Sequence, residues 1–451
     1  MARPWLSLFL LLAHASTLSS AFCPAFPTAL GVTTPGKLSS SALRSPLACG
    51  SGCRAAARIG AGRPRQGTLV EGLQMNRKAH QGAEQEFRVT VLGGGSFGLA
   101  MASVLGKQGI PVTLLMRKQN DVDHFNTNKR HPTYLKDIVL PECVSASCDP
   151  PSALSDATHL IHAVPCQYSR EYLRNIAPLI PKGIPLVCTS KGIEAGTLAM
   201  MNDILVEELG PDRSYAFLSG PSFAKEIAMG LATAVVVASK DTAFGNEVAE
   251  MFSCETFRVF TTKDVAGVEI GGAVKNVIAI AAGMCEGLGM GTNAMAGLVT
   301  RGCLEMQALA KAIGASPVTL MGLSGVGDTF GTCFGPLSRN RQLGFRLGQG
   351  EKLEDILTST TEVAEGYATA LSLVEFLREK LPRSYRMDLK FPILFGVADI
   401  LKGERTPSDA MREIMMLPIR TEVFDYRENS VQALLERKRR AAAMGKVKKT
   451  Q

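Results

Sequence analysis

The stretch Phe87–Leu105 reads FRVTVLGGGSFGLAMASVL, a strand-like apolar run, a glycine-rich turn and a segment with apolar residues at helical spacing. The turn, Gly93–Gly98, follows the pattern G-x-G-x-x-G in the context that a dinucleotide site requires. Gly93 permits the tight turn, Gly95 lets a pyrophosphate approach the backbone, and Gly98 lets the helix pack on the strand. We therefore predict an α/β Rossmann-type NAD(P)-binding domain over residues 86–263.

The end of the second predicted strand, Val112–Met116, bears on the choice of cofactor. It is followed by Arg117 and Lys118 rather than by the acidic residue that usually binds the ribose 2′-hydroxyl of NAD. A cation suits the 2′-phosphate of NADP, although Arg117 is equally able to stack on the adenine of either cofactor. The expected cofactor is NADP or NAD.

Further short apolar runs predict the rest of a parallel sheet. Runs at 160–164, 186–189 and 215–219 each end at a turn with glycine or polar residues, and runs at 234–238 and 257–260 complete the sheet. Since ligands bind at the carboxyl ends of parallel strands, we expect these turns to line the site.

From Asp264 onward long helical patterns predict an all-helical substrate domain over residues 264–427. Its segment 271–283 reads as a buried helix with Lys275 and Asn276 at its centre, and these residues with Glu269 argue against a membrane span. A buried lysine is costly unless it is paired or used. All six histidines lie at or before His162, so Lys275 is the candidate general acid–base of this domain.

Two segments downstream add candidate substrate residues. Asp328, in what reads as a glycine-rich turn, is predicted to orient Lys275 or to bind a substrate hydroxyl, and the alternative is an ordinary turn aspartate. Arg339 offers a planar fork suited to phosphate and Asn340 a further donor, but alone they would equally fit a solvated basic face.

Seven motifs taken together give these residues a common context. In order and spacing they resemble the bacterial-type NAD(P)-dependent glycerol-3-phosphate dehydrogenases over residues 87–427. The motifs are Gly93–Gly98, Ser190–Glu194, Gly220–Glu226, Gly271–Asn276, Gly325–Asp328, Ser338–Arg341 and Glu365–Tyr367.

The resemblance implies reversible hydride transfer between NAD(P)H and dihydroxyacetone phosphate, giving sn-glycerol 3-phosphate for glycerolipid synthesis. It implies that Lys275 is the proton donor and acceptor, with Lys191 and Asp328 as its catalytic partners. The implied cofactor residues are Gly93, Gly95, Ser96, Phe97, Gly98, Arg117, Lys191, Ala224, Arg339 and Glu365. The implied substrate residues are Lys191, Gly220, Ser222, Lys275, Asn276, Asp328, Thr332, Ser338, Arg339 and Asn340. It also implies a possible homodimer.

Charge and cysteine usage exclude several other classes. Residues 1–70 and 427–451 carry 15 of the 49 Lys and Arg but only 2 of the 41 Asp and Glu, so residues 71–426 have 34 against 39, a net charge of −5. We therefore expect no nucleic-acid partner. The eleven cysteines show no metal or disulfide spacing, and Cys166, Cys285, Cys303 and Cys333 are expected to pack as small apolar residues.

The first 85 residues predict a two-part targeting leader. The apolar stretch 5–13, followed by small residues up to Ala21, is typical of a signal peptide over residues 1–21. Residues 22–85 have the Ser, Ala and Arg content of a transit peptide, and Phe22 follows the predicted cleavage site as in bipartite plastid leaders. We expect a plastid location, with secretion or a mitochondrial address as alternatives. The tail 428–451 is basic, and Lys225 and Glu226 are expected on the surface.

Overall fold

The computed structural model describes residues 87–360, 364–382 and 386–416, which fall within one compact unit. The predicted signal peptide, the transit segment and the basic tail lie outside the described residues.

An eight-stranded sheet occupies the N-terminal half of the described chain. Its strand order is β3-β2-β1-β4-β5-β6-β7-β8. The strands are β1 (Val89–Leu92), β2 (Val112–Leu115), β3 (Val144–Ser147), β4 (His159–His162), β5 (Leu186–Cys188), β6 (Tyr215–Ser219), β7 (Thr233–Ala238) and β8 (Phe257–Thr262). The chain order reverses beside β1, where β4 is the neighbour, and this reversal opens a ligand crevice at the carboxyl ends of the strands.

Helices cover both faces of the sheet. They are α1 (Ser96–Lys107), α2 (Gln119–Asn128), α3 (Pro150–Leu154), α4 (Cys166–Ile176), α5 (Met201–Leu209), α6 (Ala224–Met229) and α7 (Thr242–Phe252). Two separate apolar clusters result, one including Leu99, Val91 and Phe252 and the other Leu92, Leu173 and Phe217. Burial on both faces explains why the strands read as continuous apolar runs.

The rest of the described chain is helical and contains no strand. Its helices are α8 (Val265–Gly287), α9 (Gly291–Ala312), α10 (Asp328–Phe334), α11 (Arg339–Gly348), α12 (Leu353–Ser359), α13 (Glu365–Lys380), α14 (Met387–Lys390), α15 (Pro392–Leu401) and α16 (Pro407–Met415). They share a third apolar cluster centred on α8. Helix α8 is long and apolar enough to cross a membrane, but 89% of its most apolar window is buried in the fold, so it is a core helix.

The sheet differs from the expected one in two respects. Strand β3 was not predicted, because the sequence Val-Ser-Ala-Ser has too little apolar character to stand out. Strand β7 runs antiparallel to β6, whereas we expected a fully parallel sheet. The connection between β6 and β7 contains one six-residue helix, α6. This helix is too short to carry the chain back to the end of the sheet where β6 begins, so β7 starts near the end of β6 and runs antiparallel to it.

Candidate active site

The glycine turn after β1 has the shape that a dinucleotide phosphate needs. Gly93 has φ +116°, and a Cβ atom at Gly98 would lie 2.1 Å from the Gly93 carbonyl oxygen. A Cβ atom at Gly95, in contrast, would meet nothing within 4 Å. The surface over Gly95 is thus open where helix α1 begins with Ser96 and Phe97, whose first-turn N–H groups have no partner within the helix. The residues present fit a bound NAD(P).

Other predicted cofactor residues lie at neighbouring strand ends. Arg117 is exposed two residues after β2. Ala224 is half-buried at the start of α6. It follows a turn in which Gly220 has φ +140° and Ser222 Oγ donates a hydrogen bond to the Gly220 carbonyl oxygen at 2.8 Å.

A buried carboxylate joins two lysines from distant parts of the chain. The Lys275 Nζ atom donates to Asp328 Oδ1 at 2.7 Å and to Thr332 Oγ1 at 3.0 Å. The Lys191 Nζ atom donates to the other oxygen, Asp328 Oδ2, at 2.7 Å. Asp328 is 2% exposed, and the two lysine side chains are 11% and 13% exposed. The three charges therefore form one enclosed network.

Three elements bring these side chains together. Lys191 lies in the loop after β5, Lys275 lies in the middle of α8, and Asp328 is the first residue of α10. A single π-helical turn, Leu323–Gly327, precedes Asp328, so this aspartate lies in a helix and our expectation of a glycine-rich turn was wrong. The glycines of that segment allow the π-helical turn to pack tightly, since a Cβ at Gly325 would lie 1.9 Å from the Leu320 carbonyl oxygen.

The charges of the network shift one another's titration. Burial lowers the pKa of Lys275 to about 8, and the positive charge of Lys191 adds to this shift while Asp328 opposes it. Burial alone would raise the pKa of Asp328, but the two lysines outweigh burial and hold that pKa below its usual range. Lys275 therefore exchanges a proton near neutral pH while Asp328 stays ionised, which suits a general acid–base beside a fixed counter-ion.

The start of helix α11 lies in the same electrostatic environment. Arg339 is exposed and Asn340 is buried, and the preceding Ser338 Oγ accepts a hydrogen bond from the Arg341 N–H at 3.2 Å. Burial raises the pKa of Glu365, and the charges of Arg339, Lys191 and Lys275 act against that rise.

Asn340 also connects two helices. Its Oδ1 atom accepts the N–H of Gly366 at 2.9 Å, so its amide NH₂ group is left for another acceptor. Asn276, next to Lys275, is 4% exposed. The structure thus gathers the predicted substrate residues of α8, α10 and α11 around one site, with Glu365 at the start of α13.

Sequence reasoning did not single out the residues that hold the Lys191 loop. Gln167 Nε2 donates to the Ile193 carbonyl oxygen at 2.8 Å, and Gln167 Oε1 accepts from the Ala195 N–H at 2.9 Å. Arg170 donates through Nε to both carboxylate oxygens of Glu194, at 3.1 and 2.8 Å. A signal existed in the sequence, because α4 places Gln167 and Arg170 three residues apart on one face.

The remaining candidates have structural positions. Lys225 and Glu226 are exposed on α6, as expected. Cys166, Cys285, Cys303 and Cys333 are buried and unpaired, and burial raises the thiol pKa of each. Within the described ranges no group of three or more His, Cys, Asp or Glu residues is placed to hold a metal ion.

Two family models match this chain. The model described as the N-terminus of NAD-dependent glycerol-3-phosphate dehydrogenase covers residues 88–245, and the model described as its C-terminus covers residues 264–412. Among curated proteins, the chloroplastic glycerol-3-phosphate dehydrogenase [NAD(+)] 2 of Arabidopsis thaliana is 45% identical over 338 residues, 74% of this chain and 79% of its own.

A bacterial relative and a solved structure extend the match. Glycerol-3-phosphate dehydrogenase [NAD(P)+] of Oleidesulfovibrio alaskensis is 43% identical over 336 residues, which are 74% of this chain and all of its own. The crystal structure of glycerol-3-phosphate dehydrogenase from Coxiella burnetii superposes with a TM-score of 0.69 at 32% identity, over 74% of this chain and 99% of that one.

Proposed function

Because the chain belongs to the family of NAD-dependent glycerol-3-phosphate dehydrogenases, we propose that its Lys191–Asp328–Lys275 network is the catalytic centre. The protein is an NAD(P)-dependent oxidoreductase that interconverts dihydroxyacetone phosphate and sn-glycerol 3-phosphate. The observation that supports the catalytic assignment is the enclosed lysine whose pKa is lowered to about 8 beside a carboxylate that two cations keep ionised.

Hydride transfer and proton transfer to the carbonyl group involve different groups. The bound nicotinamide supplies the hydride that adds to the carbonyl carbon. Lys275 donates a proton from Nζ to the carbonyl oxygen, so the C=O double bond becomes C–OH and the lysine becomes neutral. Asp328 and Thr332 occupy two of the three ammonium hydrogens of Lys275 and leave the third for the substrate.

The cations around the network account for a phosphorylated substrate. Lys191 would contact the glycerol part of the substrate while its ammonium group remains bonded to Asp328. Arg339 and the amide NH₂ of Asn340 would hold the phosphate at the start of α11, where the first-turn N–H groups add to the attraction. Asn276, Gly220, Ser222 and Ser338 would complete the walls.

The cofactor site favours NADP without excluding NAD. Exposed Arg117 follows β2 where an acidic residue would mark NAD, so it would bind the 2′-phosphate or stack on the adenine. Gly93, Gly95, Ser96, Phe97 and Gly98 would cradle the pyrophosphate, and Ala224 and Glu365 would line the cofactor.

An assay with two substrates tests the reaction and the phosphate site together. NADH and NADPH oxidation is followed at the nicotinamide absorbance with dihydroxyacetone phosphate and with unphosphorylated dihydroxyacetone. We expect rapid turnover of the phosphate ester alone.

The variant Arg339→Ala tests the phosphate site. It should raise the KM for dihydroxyacetone phosphate by about tenfold to a hundredfold, the contribution of a charge-assisted phosphate contact. Arg346→Ala, at a half-buried position of the same helix with Glu351 as its partner, is the control. Equal losses in both variants would contradict the assignment.

The proposal extends to location and organisation. The Arabidopsis relative named chloroplastic and the predicted two-part leader of this chain support a plastid location, where the product would supply glycerolipid synthesis.

A division after residue 263 into cofactor and substrate domains is supported by the end of β8 at Thr262 and by Asp264, whose side chain caps α8. Sedimentation of the purified chain would test the homodimer.

A further inference from the structure

Helix α8 carries a half-buried acid, Glu269, which the catalytic scheme does not use. Its Oε1 atom accepts the backbone N–H of Asn202 at 2.7 Å. Asn202 is in the first turn of α5, where N–H groups lack partners within the helix, and Met200 at the N-cap makes no side-chain cap bond. Glu269 therefore caps α5 from another helix and fastens the start of α5 to α8.

That attachment lies at one end of the loop that carries Lys191. At the other end, Thr189 is held at the sheet because its N–H and Oγ1 both donate to the His162 carbonyl oxygen, at 2.9 and 2.8 Å. Within the loop, Ile193 pairs with Met200 in an isolated antiparallel bridge. Fixing Asn202 thus fixes Met200, and through the bridge it fixes the backbone two residues from Lys191.

The Lys191 side chain then crosses the same helix. A Cβ atom at Gly272 would lie 3.2 Å from both Cγ and Cδ of Lys191, so the lysine stem lies directly on the helix backbone at that glycine. Glu269, Gly272 and Lys275 are spaced three residues apart and share one face of α8. Glu269, Lys191 and Met201 also line one small cavity. One face of α8 thus carries Glu269, which holds the loop, Gly272, which the Lys191 side chain contacts, and Lys275.

We propose that Glu269 is a positioning residue for Lys191. By holding the start of α5 on the face of α8 that carries Lys275, it fixes where the Lys191 stem crosses Gly272 and hence where its ammonium meets Asp328. The inference rests on the proposed function, because it takes Lys191 to be a substrate contact.

Titration of Glu269 supplies a matched variant. Burial raises its pKa to about 8, and Oε1 is the acceptor for the Asn202 N–H. Glutamine has the same shape and keeps that acceptor. Glu269→Gln should therefore preserve the attachment, whereas Glu269→Ala removes it, and Glu269→Asp shortens the side chain by one methylene and withdraws the acceptor from Asn202.

Kinetics of the full chain at neutral pH provide the first readout. For Glu269→Ala and Glu269→Asp we expect the KM for dihydroxyacetone phosphate to rise about tenfold, the effect of one misplaced polar contact, while the KM for NADPH rises less. Glu269→Gln should stay within about twofold of the original protein. The exposed Glu250→Ala on α7 controls for the loss of a surface charge. A loss in Glu269→Gln equal to that in Glu269→Ala, or an equal rise in both KM values, would overturn the proposal.

A double-mutant cycle separates positioning from general destabilisation. If Glu269 acts through Lys191, Glu269→Asp should cost little further activity in a Lys191→Met background. An additive loss would show that Glu269 acts elsewhere.

Amide exchange supplies a readout that does not need activity. Residues 190–203 should exchange faster in Glu269→Asp than in Glu269→Gln, while α9 stays protected. Faster exchange with no turnover of any tested substrate would overturn the proposed function and leave the attachment standing. Unchanged exchange in that loop would overturn the positioning role.

Discussion

At the residue scale, one carboxylate organises a site that is cationic as a whole. Asp328 balances only one of the two lysines that share it, and Arg339 adds a further positive charge nearby. A phosphate ester brings two negative charges to this cluster, so binding relieves the repulsion between the cations. The same repulsion makes Lys275 a better acid, because the charge of Lys191 disfavours its protonated form.

Replacing the central lysine tests its part in proton transfer. Lys275→Met keeps an unbranched side chain one atom shorter than lysine and removes the ammonium group. We expect kcat to fall by about 10²–10⁴, the usual contribution of a general acid–base, with the fold retained. Lys225→Met, at an exposed position of α6, should leave kcat unchanged. A folded Lys275→Met protein with the original turnover would remove Lys275 from the chemistry.

The pH dependence should have opposite signs in the two directions. With a Lys275 pKa of about 8, the ammonium form is present below that pH and the neutral amine above it. Reduction needs the acid, so its kcat/KM should fall as pH rises through about 8, and oxidation needs the base, so its kcat/KM should rise there.

Replacement of Asp328, the counter-ion of Lys275, extends the measurement of the pH dependence. Asp328 opposes the lowering of the Lys275 pKa, so Asp328→Asn should move both limbs of the profile to lower pH, in addition to any loss of rate. Profiles without a limb between about pH 6 and 10 in either direction would contradict this assignment of the proton donor.

At the element scale, α8 and α11 meet backbone to backbone through glycines. A Cβ atom at Gly283 would lie 2.0 Å from the Arg341 carbonyl oxygen, and one at Gly344 would lie 2.0 Å from that of Ile280. Gly287 and Gly348 continue the contact, with 2.2 Å to the Phe345 carbonyl oxygen and 2.5 Å to that of Met284. This glycine seam places the helix of Arg339 against the helix of Lys275.

A single methyl group should disrupt the seam. Gly344→Ala should lower the free energy of unfolding by about 3 kcal/mol or more, because its Cβ would overlap a backbone oxygen that cannot move independently. Gly297→Ala, at an exposed position of α9 with nothing within 4 Å of the added Cβ, should be neutral or stabilising by about 0.5–1 kcal/mol. Denaturant midpoints measure the stability of both variants. A similar midpoint for Gly344→Ala and Gly297→Ala would show that α8 and α11 can move apart without loss of stability.

The elements also show what sequence alone could supply. The turn Gly93–Gly98 follows from local rules, since a strand, three glycines and a helix are adjacent in the chain. The direction of β7 depends on the path of the chain after β6, and tertiary packing sets that path. Strand β3 has a weak local signal and is defined by its pairing with β2. The helical position of Asp328 was hidden because a π-helical turn full of glycine resembles a loop.

The site itself required contacts that no local pattern contains. Lys191 and Lys275 lie 137 and 53 residues from Asp328 along the chain. The residues themselves suggested an Asp328–Lys275 pair as one alternative, and only the family resemblance added Lys191. The role of Gly272 was equally hidden, because a glycine next to a side chain from another segment leaves no signal in its own neighbourhood.

At the scale of the whole molecule, charge separates the body of the chain from its ends. Residues 71–426 are mildly acidic, and the excess of Lys and Arg lies in residues 1–70 and 427–451. Residues 1–70, which are basic and carry no Asp or Glu, suit recognition by import machinery, and every predicted site residue lies beyond them.

A fusion experiment tests the leader. Residues 1–85 joined to a fluorescent protein should direct it to plastids in an alga whose plastids lie within additional membranes. Removal of residues 1–21 should leave the fusion in the cytosol, because the first membrane is then not crossed. Fluorescence that fills the medium, the endoplasmic reticulum or mitochondria would contradict the plastid address.

The glycine seam finally bears on how the cleft opens and closes. Two helices in direct backbone contact have no side-chain rotamers between them to rearrange, so α8 and α11 travel as one rigid body. We expect the spacing between Lys275, the proposed proton donor, and Arg339, the proposed phosphate contact, to stay constant through the turnover cycle. Any movement that opens the site then takes place outside this pair of helices.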